Sequence, residues 1–116
     1  MIKTAGEIIK HAQSQIKCLD VAAAKELFKQ SHYAVIIDVR EADSVAKSKL
    51  NESVHISRGL LEMKVPGHCP DPDTVILTHC GGGGRASLAA LTLQEMGYKN
   101  VYAITATFEE IKAEFG

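Results

Sequence analysis

Apolar positions along this chain alternate between a helical and a strand period. From Ala5 they recur at helical spacing (Ala5, Ile8, Ile9, Ala12, Ile16), and Thr4 with Glu7 has the form of a capping box, which predicts an amphipathic first helix. That helix is expected to pack against the rest of the chain or against a second subunit. Ile16 to Leu19 predicts a short edge strand with Cys18 alternating into the core. Asp20 then caps a second helix that carries Ala23, Ala24, Leu27 and Phe28 on one side. Tyr33 to Val39 is an almost unbroken apolar run, the pattern of a strand buried on both faces of a parallel sheet. A polar surface helix over Ala42 to Lys49, a strand over Ser53 to Ile56, and a proline-punctuated loop from Pro66 to Asp73 follow.

Val75 to Thr78 is β-branched and apolar, and Ala86 to Met96 returns to helical spacing, with Ala86, Ala89, Ala90, Leu93 and Met96 on one stripe. Its small residues let this helix lie close to a sheet. Leu88 and Leu91 project from the other side and call for cover by another helix or a partner chain. Gly97 supplies the helix stop, Val101 to Ile104 the last strand, and Thr107 with Glu110 a second capping box. Phe108, Ile111 and Phe115 form the buried face of the final helix. Strands alternating with helices in this way predict an α/β fold.

With 116 residues the chain is expected to form one domain, 1–116, with residues 1–16 as an accessory N-terminal helix. Its 46% hydrophobic content fits a globular chain, and a net charge of -1 without a basic, aromatic-interleaved stripe gives no case for nucleic acid. The N-terminus lacks the pattern of a signal peptide, and no window approaches the roughly eighteen apolar residues of a membrane span, so a cytoplasmic protein is expected. Cys18, Cys69 and Cys80 are odd in number and far apart, which suits a reducing compartment and no disulfide framework.

The chemistry concentrates in His79-Cys80-Gly81-Gly82-Gly83-Gly84-Arg85-Ala86-Ser87, between a strand and a helix. Glycines lack a Cβ, so the backbone can take positive φ and turn its N–H groups inward as a nest for an anion. The following helix adds unpaired N–H groups and the positive end of its dipole, and Arg85 a fixed charge. All three favour the thiolate of Cys80, the form that acts as a nucleophile.

Competing readings of the run fall away on spacing. A flexible linker does not sit tightly between an apolar strand and a helix. A P-loop needs Lys-Ser/Thr after its last glycine, where this chain has Arg85-Ala86. Gly81, Gly83 and Ala86 match the relaxed dinucleotide fingerprint, but no acidic residue closes a second strand about twenty residues on. His68-Cys69 and His79-Cys80 match no established zinc spacing, so neither metal nor cofactor is expected. Strand alternation turns His79 away from the Cys80 side chain, giving it a structural role.

Cys80-x4-Arg85-Ala86 between strand and helix, followed by Gly97-Tyr98-Lys99-Asn100-Val101-Tyr102, together with Val35-Ile36-Ile37-Asp38-Val39-Arg40-Glu41, resembles the single-domain rhodanese family. The resemblance spans roughly Ala34 to Tyr102. It implies a three-layer sandwich with a mainly parallel central sheet. It implies that Cys80 takes the outer sulfur of a donor such as thiosulfate and passes it, as a persulfide, to cyanide or a thiol, including a protein acceptor. Gly81, Gly82, Gly83, Gly84 and Arg85 would hold the substrate anion, and Asp38 and Arg40 would support the loop, whereas Glu41 reads as a capping or surface residue. Arg58, in the stretch Ser57 to Glu62, is either a second cation near the entrance or a solvent-exposed side chain.

Two segments depart from the family pattern. Ser48 to Ser53 replaces the usual Gly-His-Ile-x-Gly-Ala turn, and Thr105-Ala106-Thr107 stands where Gly-Gly is common beside the catalytic pocket. The rivals are a cysteine phosphatase or arsenate reductase, whose His-Cys-x5-Arg signature is one residue longer than His79-Cys80-x4-Arg85, and a carrier or non-catalytic interaction module. Monomer and homodimer both remain open at this level.

Overall fold

The computed structural model describes residues 1–116. Five strands form one sheet: β1 (Lys17–Leu19), β2 (Ala34–Asp38), β3 (Ser53–His55), β4 (Val75–His79) and β5 (Asn100–Ile104). Their spatial order is β1-β5-β4-β2-β3, and every pairing is parallel. Six helices connect them: α1 (Ala5–Gln15), α2 (Val21–Gln30), α3 (Ala42–Lys47), α4 (Leu61–His68), α5 (Gly84–Met96) and α6 (Phe108–Phe115). None is long and apolar enough to cross a membrane.

Side chains alternate across the sheet and sort into two cores. Val35, Ile37, Val39, Ile76, Cys80, Val101 and Ala103 lie on one face with Leu61 and Val65 of α4 and Ala86, Ala89, Ala90 and Leu93 of α5. Ile36, Leu77 and Ile104 lie on the other with Ala24 of α2 and Phe108 and Ile111 of α6. Burying each such Ile or Leu contributes roughly 1.5–3 kcal/mol. The result is the expected three-layer α/β arrangement, with β4 central and the ends of β2 and β4 side by side, Asp38 opposite His79.

Both capping boxes form, at Thr4–Glu7 and Thr107–Glu110, and the Asp20 carboxylate accepts from Ala23 N–H at 2.8 Å. α1 packs on α5 of the same chain. Gln94 Nε2 of α5 donates to Gln15 O at 3.0 Å, and Leu88 and Leu91, both half-buried, share by helical spacing the side of α5 that carries Gly84.

Four expectations need correction. Cys18 is exposed, because β1 is the outermost strand and only Leu19 of its three residues is even half-buried. Met96 is 40% exposed, since the last turn of α5 runs past the sheet. Ala23 is exposed, leaving Ala24, Leu27 and Phe28 as the inward side of α2. The stretch from Pro66 is not wholly loop: α4 continues through Pro66 to His68, and Cys69 N–H closes on Val65 O at 2.7 Å. Packing of Leu61 and Val65, both fully buried, outweighs the hydrogen bond that proline cannot donate to Glu62 O.

Candidate active site

The loop from Cys80 to Gly83 leaves the carboxyl end of the central strand and enters α5, where ligands gather in open α/β sheets. Only one of the four glycines needs its conformational freedom. Gly83 has φ +97°, and a Cβ there would stand 3.1 Å from Thr105 Cα. Gly84 is already the first residue of α5, so the helix begins two positions before the periodicity indicates. Its lack of a side chain serves packing: a Cβ at 84 would stand 2.8 Å from Ile9 Cδ1 of α1.

Two backbone donors converge on the sulfur. Gly83 N–H points to Cys80 Sγ at 3.1 Å and Ala86 N–H at 3.4 Å. Thr78 Oγ1 donates to Ala86 O at 2.8 Å, fixing the first turn of α5 to β4. Phe108 N–H donates to Gly81 O at 3.1 Å, so the start of α6 holds the front of the loop. Cys80 itself is only 2% exposed, whereas Gly81 and Gly82 above it are open to solvent. Cys80 lines none of the surface grooves, the largest of which, about 610 Å³, is bounded by Arg40, Lys47, Phe108 and Lys112. The sulfur is therefore almost closed off from solvent.

Arg85 is half-buried with no carboxylate in ion-pair range, and its Nη2 lies 3.8 Å from where a Gly81 Cβ would be. The guanidinium therefore folds back along the loop with its charge unneutralised. The two N–H groups on Cys80 Sγ and this unneutralised charge give the loop a positive local field.

Asp38 and Arg40 are brought close to the loop but on the opposite face of the sheet from Cys80. Arg40 binds the Asp38 carboxylate through Nε and Nη2, at 3.0 and 2.8 Å, and also donates to Ser48 O at 2.7 Å. The guanidinium lies 3.9 Å from the centre of the Phe108 ring. Burial alone would raise the Asp38 pKa, but the Arg40 hydrogen bonds, aided by His79, hold it below its ordinary value. Arg40 O in turn accepts from Ser57 Oγ and contacts His55 Nε2. Glu41 starts α3 without a side-chain capping bond.

His79 is fully buried on this same face, stacked against Phe108 at 6.2 Å between centroids and 3.8 Å from Asp38 Oδ2. Neither ring nitrogen has a hydrogen-bond partner. Burial lowers its pKa, and the Asp38 carboxylate only partly opposes this. The ring thus points away from Cys80, as strand alternation requires.

Arg58 joins neither group. Its Nη2 donates to Thr92 Oγ1 of α5 at 2.9 Å and its Nη1 lies 3.4 Å from Glu62, so it bridges helices and is only partly exposed. His68 and Cys69 end α4, with Cys69 buried and its carbonyl accepting from Tyr98 Oη at 2.6 Å. No three His, Cys, Asp or Glu side chains converge as metal ligands would.

Sequence reasoning did not find Thr105 against Gly83, Phe108 beneath Arg40, or Gln13 against Ser87. All are long-range contacts. The departure at Thr105 to Thr107 was the one signal that pointed to this wall.

The sequence model for the rhodanese-like domain matches residues 20–114, most of the chain. The chain belongs to the rhodanese-like domain family. Among solved structures, a protein of unknown function from Rhodopseudomonas palustris, described as a possible tyrosine phosphatase, is 30% identical over 100% of this chain and 94% of its own, with a TM-score of 0.84. The homodimeric polysulfide-sulfur transferase of Wolinella succinogenes is 28% identical over 93% of this chain and 81% of its own, with a TM-score of 0.76. A human single-domain sulfurtransferase shares the fold at 18% identity and a TM-score of 0.71, covering 80% of this chain and 92% of its own. In this rhodanese-like chain the family match begins after α1 and β1.

Proposed function

We propose that this rhodanese-like chain is a sulfurtransferase working through a persulfide on Cys80. The observation that carries the reading is the pair of N–H donors, from Gly83 and Ala86, aimed at Cys80 Sγ within a loop whose one cation, Arg85, is unpaired by any carboxylate. Likeness to the Wolinella transferase supports it. The Cys80 thiolate attacks the outer sulfur of thiosulfate, the S–S bond breaks, and its electron pair leaves on sulfite. The terminal sulfur anion now on Cys80 is stabilised by the loop donors, in the manner of an oxyanion hole. A thiolate or cyanide then attacks that sulfur, and the electron pair of the breaking bond returns to Cys80. No separate base is needed, since no proton moves in either displacement. Arg85, always ionised, attracts the donor anion and braces the loop.

The 116 residues act as one domain in this reading, with α1 as an accessory. Thiocyanate formation from thiosulfate and cyanide, with intact mass recorded after thiosulfate, tests it. Wild-type protein is expected to turn over and gain the mass of one sulfur, and Cys80→Ser to do neither. A folded wild type with no turnover and no mass gain overturns the reading.

A second reading is favoured by the Rhodopseudomonas protein described as a possible tyrosine phosphatase. Against it, four residues separate Cys80 from Arg85, one fewer than in the His-Cys-x5-Arg signature, and the smaller ring suits a sulfur atom better than a tetrahedral oxyanion. Aryl phosphate turnover that disappears in Cys80→Ser would reverse the order. A persulfide that forms but passes only to a protein thiol and never to cyanide would make the chain a carrier.

A further inference from the structure

α1 precedes the part of the chain that the rhodanese-like family model matches, yet it reaches the nucleophile's cradle through consecutive contacts. Gln13 Nε2 donates to Ser87 Oγ at 3.1 Å. Ser87, fully buried, donates its Oγ–H to Gly83 O at 2.6 Å, and its N–H to the same oxygen at 2.9 Å. Gly83 then presents its own N–H to Cys80 Sγ. We propose that α1 is a positioning element for Cys80, acting through the relay Gln13–Ser87–Gly83.

The physical argument lies in what the Gly83 carbonyl fixes. Gly83 holds a left-handed φ with no Cβ to restrict it, so its two flanking peptides can rotate at low cost. The Gly83–Gly84 peptide is pinned by the two Ser87 donors, so the preceding Gly82–Gly83 peptide, which carries the N–H on the sulfur, can turn only about the φ and ψ of Gly83 against a fixed neighbour. A buried serine hydroxyl has one proton and could spend it elsewhere. By occupying the acceptor side of Ser87 Oγ, Gln13 leaves that proton directed at Gly83. Ile9 supplies the second half of the contact. Its Cδ1 lies over Gly84, 2.8 Å from where a Cβ would stand, so the tip of Ile9 packs directly on the first turn of α5.

This extends the proposed function, since it takes Cys80 as the reacting atom, but its readout does not require sulfur transfer. The thiolate is followed by ultraviolet absorbance as a function of pH, in the full-length protein, against a Cys80→Ser reference in each background. Gln13→Met keeps the bulk of the side chain and removes its donor. It is expected to move the Cys80 titration midpoint upward by about half a pH unit, the equivalent of one lost hydrogen bond. Thiosulfate turnover should fall about threefold at neutral pH, in kcat/KM, for the same loss. Gln94→Ala is the control: it removes a neighbouring bond from α5 to the same last turn of α1, at Gln15 O, and leaves the bonds of the relay in place. Its midpoint is expected to match wild type even if its melting temperature falls.

An unchanged midpoint in Gln13→Met, or an equal shift in Gln94→Ala, would overturn the relay. If the midpoint moves as expected while no variant or wild type transfers sulfur, the relay stands and the sulfurtransferase reading fails.

Discussion

Gly83 and Gly82 are chemically identical neighbours with different jobs. Gly83 combines a φ of +97° with a potential Cβ contact of 3.1 Å to the Thr105 backbone, whereas a Cβ on Gly82 would meet nothing within 4 Å. Gly83→Ala is therefore strained twice over and should cost about 1–3 kcal/mol, displacing the N–H that points at Cys80. Thiosulfate turnover should drop by at least about tenfold, one lost donor in an anion cradle being worth that or more. Gly82→Ala should stay within a few fold. Paired melting curves and turnover measurements check both, and equal effects at 82 and 83 would show that the loop has no preferred conformation. The four-glycine run marked this place in the sequence but could not rank its members. Which glycine takes positive φ depends on Thr105, and which one lies under a helix depends on Ile9; neither partner is near in sequence. Cys18 was misplaced for a related reason. Period-two alternation says that a side chain faces one side of a sheet, not whether anything covers that side at an edge.

At the scale of elements, the ends of helices decide how firmly the loop is held. Thr107 caps α6, and the first N–H inside that helix, on Phe108, carries the bond to Gly81 O. Thr107→Ala should cost about 1 kcal/mol of stability and, because the anchor of the loop frays with the helix end, lower turnover several-fold. Asp20→Ala uncaps α2 at a similar cost, and α2 donates nothing to the loop, so turnover there should hold. If both variants lose activity in proportion to stability, the α6 anchor has no special part. The order of helices and strands was legible because caps and periodicity are local. The mainly parallel sheet followed from the unbroken run ending at Asp38 and from the family resemblance. The end of α4 was not legible: a proline in the second turn argues for loop, and only the burial of Leu61 and Val65 argues otherwise. Gly84 was likewise read as loop, since glycine lowers helix propensity and nothing local reveals that Ile9 needs the space.

Across the whole molecule, the face of the sheet opposite Cys80 carries an ionisable cluster that ties stability to pH. Asp38, Arg40 and His79 are all buried there, the last two against Phe108, and both titrating members, Asp38 and His79, have pKa values below their ordinary ones. Unfolding returns His79 to about 6.5, so below that pH the unfolded chain takes up a proton that the folded ring refuses. Asp38 behaves in the same sense lower down: unfolded it protonates near 3.8, while the folded carboxylate stays ionised on Arg40 to lower pH. In both windows the unfolded state binds more protons, and stability falls as pH falls, by at most about 1.4 kcal/mol per pH unit for each group. The melting temperature should be level above about pH 7 and decline from there toward about pH 5, with a second decline below about pH 4. His79→Gln should flatten the upper decline, keep the lower one and leave turnover within a few fold, because the ring faces away from the sulfur. A melting temperature that rises from about pH 7 to about pH 5 would reverse the sign. It would mean that Asp38, 3.8 Å away, holds His79 as the cation in the folded state, and that the sheet beneath the Cys80 loop carries one more positive charge than its burial allows.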